Sequence, residues 1–289
     1  MRWKDGEQGG NIEDRRGMRP RVGRGGSIGI GGIAVVLIGY FVFGVDPGTL
    51  LQIVAGQDGG SYTQETGKQG APDDQSGKFV DVILTSTTRV WTGLLQDTAK
   101  PYREPQPLVL YTQATGTECG TGQSAMGPFY CPPDERIYID LDFFNELSTR
   151  FGAPGDFAKA YVIAHEVGHH VQNVLGTAAK VQSAMQRAGS KKEANRYSVA
   201  LELQADCYAG VWAAQAPAVA KGKITIDRSD LEDGLRAARA IGDDTLQKET
   251  QGRVVPDSFT HGSSAQRVEW LRRGFDTGDP AACDTFSKL

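Results

Sequence analysis

The stretch "YVIAHEVGHHVQ", residues 161–172, decides how the rest of the chain is read. It holds three of the chain's four histidines, His165, His169 and His170, and one acid, Glu166, in a mostly apolar run. Pro154 and Gly155 precede it and Gly176 follows it, so the spacing predicts a helix with Asp156 as its N-cap and Gly176 as its stop. Residues four apart on a helix share one face, which lets the imidazoles of His165 and His169 reach one tetrahedral zinc ion. Glu166 is rotated about 100° from His165, within reach of a water at the metal without ligating it. His170 is turned by a similar angle from His169, so it cannot join that metal, and a packing or hydrogen-bonding role is expected.

Two histidines need a further ligand. "ELQAD", residues 202–206, repeats the four-residue spacing with two carboxylates, Glu202 and Asp206, on the next long helix. Glu202 completes a His, His, Glu set that leaves a coordination position open for chemistry. Asp206, one turn on, can accept the Nδ1–H of a ligating histidine and fix its tautomer. His261, the fourth histidine, precedes the helix signal Ser263 and Gln266. A loop imidazole there could face the cleft and stabilise an oxyanion, with packing at the helix start as the alternative. Asp243 and Asp244 read as a solvated turn.

Outward from these motifs the pattern is α+β. "PLVLYTQAT" reads as a strand. "RIYIDL", residues 136–141, reads as a half-buried strand that could pair with an extended substrate backbone, with an ordinary core strand as the alternative. Several helices follow, one of them expected at about 230–241 with Ser229 and Glu232 as its capping box. "FVDVILTSTTRVWTGLL" is ambiguous between helix and strand because of its β-branched residues. The 289 residues carry a net charge of −4 with no basic stripe in the later part of the chain, and nothing points to nucleic acid.

The N-terminal third has a different character. Residues 1–27 are rich in glycine and arginine without periodicity and read as a disordered cytoplasmic segment. Residues 28–45, "IGIGGIAVVLIGYFVFGV", carry no charge, and eighteen helical residues span about 27 Å, enough to cross a membrane. The arginines before this span place the N-terminus in the cytoplasm and the rest of the chain outside, periplasmic or extracellular. Residues 46–77 read as a flexible linker and 78–289 as the globular domain. Four cysteines in an oxidising compartment favour the pairs Cys119–Cys131 and Cys207–Cys283.

"HEVGHHVQNVLG", "ELQADCYAG" and "FTHGSSAQR" together resemble the neutral zinc metallopeptidase family of bacterial membrane-anchored proteins, and the HExxH…ExxxD arrangement is gluzincin-like. The resemblance covers about residues 78–289 and includes the N-terminal span. It implies a zincin-like fold, one Zn2+ held by His165, His169 and Glu202, Glu166 as general base, and a peptide or protein as substrate. The competing readings are a non-catalytic, metal-containing envelope binding protein and a zinc amidase acting on cell-wall peptides. The oligomeric state is not legible.

Overall fold

A computed structural model describes residues 1–18, 66–287 and 289. These residues build one α+β body in which a five-stranded sheet is covered by long helices. The strands are β1 (Ile12–Asp14), β2 (Lys68–Gln69), β3 (Leu108–Tyr111), β6 (Phe129–Cys131) and β7 (Arg136–Asp140), in the order β2-β1-β3-β7-β6. The inner strands β1, β3 and β7 run parallel, and β2 and β6 close the two edges antiparallel. A separate hairpin of β4 (Ala114–Thr117) and β5 (Gly120–Gln123) sits between β3 and β6 in the chain.

Strand alternation sends side chains into two cores. Leu108, Leu110, Ile137 and Ile139 point into the main helical core. Val109, Tyr111 and Tyr138 point the other way, into a small core with Met126, Phe129 and Cys131. "RIYIDL" is therefore buried on both faces rather than half-buried. It also lies inside the sheet, not at its edge, because β6 pairs along its outer side. The apolar alternation described a strand correctly but could not say which strand would be outermost.

The helices are α1 (Gln75–Leu95), α2 (Asp142–Thr149), α3 (Asp156–Leu175), α4 (Thr177–Arg187), α5 (Lys191–Val219), α6 (Arg228–Ala240), α7 (Asp243–Gln251) and α8 (Ser264–Thr277). The ambiguous "FVDVILTSTTRVWTGLL" lies in α1, where Asp74 caps the helix by accepting from the Gly77 amide. Helix α3 is capped by Gly155, not Asp156, and ends at Gly176 in the left-handed conformation, as expected. Asp156 instead places its charge in the first turn, where the helix dipole favours it, and accepts a hydrogen bond from the Trp3 indole at 3.0 Å. The capping box of α6 is formed by Asp227 and Asp230 rather than Ser229 and Glu232, while Ser263 and Gln266 form that of α8.

The N-terminal reading needs the largest correction. Residues 1–18 are not a disordered tail. Strand β1 lies inside the sheet between β2 and β3, and Trp3 and Ile12 are buried in the main core. The segment carries few apolar residues, and its order comes from buried ion pairs instead. Glu13 bonds Arg15 at 2.7 Å, reaches Arg136 of β7, and accepts the Gly67 amide at 2.9 Å. Residues 66–77, read as part of the linker, likewise contain β2 and the cap of α1. The proposed span 28–45 lies outside the described residues. Among the described residues no helix is long and apolar enough to cross a membrane.

Close helix crossings set the site. At Gly168, α3 approaches Ala205 of α5 so closely that an added Cβ would sit 3.1 Å from the Ala205 backbone. At Gly274, α8 meets α5 backbone to backbone, and a Cβ there would lie 1.9 Å from the Cys207 carbonyl oxygen. The Cys207–Cys283 disulfide joins the C-terminal turn to the same stretch of α5, and Cys119–Cys131 closes the hairpin onto β6, so both expected pairs form.

Candidate metal centre

Helices α3 and α5 bring the two predicted motifs face to face. His165 Nε2 lies 3.2 Å from Glu202 Oε2, and His169 Nε2 lies 3.5 Å from Glu202 Oε1. One ligand atom from each of His165, His169 and Glu202 falls within 4.8 Å of the others. This donor set fits a zinc ion on chemical grounds. Each imidazole has its other nitrogen engaged, leaving Nε2 free to ligate. His165 Nδ1 donates to Asp206 Oδ1 at 2.9 Å, and His169 Nδ1 to Gln172 Oε1 at 2.9 Å. Gln172 is fixed in turn by donating to the Leu201 carbonyl at 2.7 Å.

The three candidate ligands and Glu166 line a cavity of about 380 Å³ that also takes in His261 and Arg267. Its wall includes the apolar residues Met126, Phe129, Val162, Met185 and Leu201. Strand β6, at the edge of the sheet among the described residues, forms one rim through Phe129 and Tyr130.

The electrostatics follow from burial and from opposed charges. Burial alone would depress the His165 imidazole, but Asp206 and Glu202 outweigh it and raise its pKa to about 10. His169 is raised in the same way, burial being overcome by Glu202. Against the burial that would raise it, Glu202 is driven well below its ordinary value by the two histidines. Burial raises the Glu166 carboxyl above its ordinary value, against the lowering influence of His165 and His169.

Asp206 stands where the sequence placed it, and the residues around it were missed. It is fully buried, yet burial is overcome by Arg267 and His165, and its pKa falls to about 2. Arg267 Nε and Nη2 each donate to it at 2.9 Å, and the Tyr161 hydroxyl donates at 2.6 Å. Tyr161 was detectable in principle, since it lies four residues before His165 on the same helical face. Arg267 closes the quoted "FTHGSSAQR", but nothing local marks it as facing Asp206 across 61 residues of chain.

His261 lines the cavity, with Nδ1 3.3 Å from Asp243 Oδ1 and 3.0 Å from the Thr260 hydroxyl. Asp243 is not solvated. It is 1% exposed, and its Oδ2 accepts the backbone amides of Thr260, His261 and Gly262 at 2.8, 2.7 and 3.0 Å. That carboxylate gathers the loop and orients the imidazole. His170 points away from the other histidines, as expected. Its Nε2 donates to the Arg103 carbonyl at 2.8 Å, so its Nδ1 accepts from the Tyr130 hydroxyl at 3.0 Å. Asn173 donates to that hydroxyl as well, so two residues of α3 hold the β6 rim through one tyrosine.

A family profile described as "Putative neutral zinc metallopeptidase" matches residues 1–286. The uncharacterised protein YpfJ of Escherichia coli is 47% identical over 299 aligned residues, covering 100% of this chain and 99% of its own. An uncharacterised protein of Mycobacterium tuberculosis is 45% identical over 209 residues, covering 70% of this chain and 68% of its own. No solved structure matches the chain. With a profile that spans nearly its whole length, the chain belongs to the neutral zinc metallopeptidase family.

Proposed function

We propose that the protein is a zinc-dependent peptidase whose site is His165, His169 and Glu202 as metal ligands with Glu166 as general base. The observation that carries this reading is the convergence of three ligand atoms within 4.8 Å in a cavity that also holds Glu166. Bound zinc would supply Lewis-acid activation of water and of the scissile carbonyl. Glu166 takes the proton from the attacking water and delivers it to the leaving amine. His261, held by Asp243, donates through Nε2 to the developing oxyanion. Strand β6 lies at the sheet edge and at the cavity rim, where an extended substrate can run alongside it. An active-site helix beneath a sheet with an antiparallel edge strand is consistent with a zincin-like arrangement.

Two disulfides support work in an oxidising compartment, outside the cytoplasmic membrane. The apolar stretch 28–45 supports attachment to that membrane.

Replacement of Glu166 by Gln tests the reading. Zinc content should stay at wild-type level while peptide hydrolysis falls by about 10²- to 10⁴-fold. Unchanged turnover would remove Glu166 from the mechanism. Wild-type protein that holds zinc and cleaves neither a casein digest nor a peptide library would favour a non-catalytic binding protein. Cleavage confined to cell-wall peptides would favour the amidase.

A further inference from the structure

We propose that Arg267, together with the Tyr161 hydroxyl, is the positioning group of the metal centre: it holds Asp206 in the one orientation that aims His165 at the metal. The proposal rests on the zinc reading above and goes beyond it by giving a role to a residue of α8, which carries no ligand.

The geometry is closed on every side. Asp206 Oδ1 receives three donors, Tyr161 Oη at 2.6 Å, His165 Nδ1 at 2.9 Å and Arg267 Nη2 at 2.9 Å, and Oδ2 receives Arg267 Nε at 2.9 Å. Arg267 Nη2 also donates to the Tyr161 hydroxyl at 3.1 Å, so that hydroxyl accepts from the arginine and donates to the carboxylate. A planar guanidinium gripping a carboxylate with two parallel bonds fixes both the position and the plane of the acid. A single hydrogen bond from His165 would leave that plane free to turn. Burial adds to the constraint, since Asp206 is 0% and Arg267 3% exposed and no water is needed to satisfy either charge.

Although Arg267 borders the cavity, it is not arranged to bind substrate. Four of its five N–H groups are engaged, by Asp206, Tyr161 and, at 3.5 Å, the Ile241 carbonyl. Its charge is already spent on Asp206. Its backbone is held equally firmly. Arg267 lies two turns before Gly274, where α8 touches α5 with no room for a side chain, and α5 carries Glu202 and Asp206. Helix α8 also begins just after the loop that presents His261. Arg267 thus ties three helices and the His261 loop to one carboxylate.

The test uses the full chain with Co2+ in place of zinc as a spectroscopic probe, and peptide hydrolysis as a second readout. Arg267→Lys keeps the charge and loses the fork, and Arg267→Met loses both. Asp206→Asn removes the acceptor. Each single variant should bind one Co2+ with an altered d–d absorption band and should lower kcat by about 10- to 100-fold with KM within about twofold. Asp206→Asn/Arg267→Met should be no worse than Asp206→Asn alone, because the arginine acts only through the aspartate. Should Arg267→Met fail to fold, Arg267→Lys and Tyr161→Phe carry the same test. A wild-type cobalt spectrum in Arg267→Lys, a change in KM in place of kcat, or multiplicative losses in the double variant would overturn the proposal while leaving the zinc reading intact. Wild-type protein that binds neither Co2+ nor zinc would overturn both.

Discussion

The α3–α5–α8 face and the N-terminal segment 1–18 both place charged side chains in the interior, yet they are encoded in opposite ways. The helical face is written in local spacing: His165 and His169 are four apart, Glu202 and Asp206 are four apart, and each pair lies on one helical face. The N-terminal segment has no period at all. Its strand is three residues long, contains one large apolar side chain, and is held by Glu13 bridging Arg15 and Arg136 across 123 residues of chain. Helical order announces itself over a dozen residues, whereas a short inner strand is stabilised by partners that sequence proximity does not reveal.

The placement of β1 constrains membrane topology. Strand β1 pairs with β3, and Trp3 bonds Asp156 at the head of α3, so residues 1–18 and 66–287 belong to one body. A single crossing by residues 28–45 would put a bilayer between β1 and β3. In one molecule that crossing and this pairing exclude each other. The family profile also begins at residue 1, which treats the segment as part of the domain.

The largest effect is expected in the N-terminal region. Glu13→Ala leaves Arg15 and Arg136 without their buried partner and should cost about 3–5 kcal/mol, read from the urea midpoint, with zinc stoichiometry unchanged in the protein that remains folded. A change within 0.5 kcal/mol would mean that β1 contributes nothing to the fold. Topology gives a second break. Cysteines introduced at the exposed positions Lys4 and Lys191 should respond alike to a membrane-impermeant thiol reagent in intact cells. Labelling at 191 alone would mean that β1 leaves the sheet and the single crossing stands.

A smaller, graded effect is expected at the helical site. In the metal-free protein His165 has its pKa raised from 6.5 to about 10, so its proton stabilises that state fully below about pH 6.5 and is lost as pH rises through about 10. His169 is shifted in the same direction. Zinc must displace both protons, so zinc affinity should rise by between about 10- and 100-fold per pH unit from pH 6 to 8. The gain in Tm on adding zinc should grow over the same interval. A gain in Tm that shrinks with pH would mean that the histidines are not the ligands.

What was legible follows from the same physics. His165, Glu166, His169, Glu202 and Asp206 could be placed because helical geometry converts spacing into direction. Arg267, Gln172 and Asp243 could not, since each matters only through a contact made in the folded chain: Arg267 with Asp206, Gln172 with His169, Asp243 with the 260–262 loop. The order of the sheet escaped for a related reason. Alternation marks "RIYIDL" as a strand, but whether it is an edge depends on β6, a three-residue strand brought alongside β7 after a tight turn.

The central claim is that three side chains from two helices make one zinc site. Metal analysis of purified wild-type protein and of Glu202→Ala tests it most directly. The account predicts one zinc per chain in the wild type and a loss of most of it in the variant after dialysis against a weak chelator. Wild-type protein without zinc, or a Glu202→Ala variant that retains a full equivalent, would contradict it.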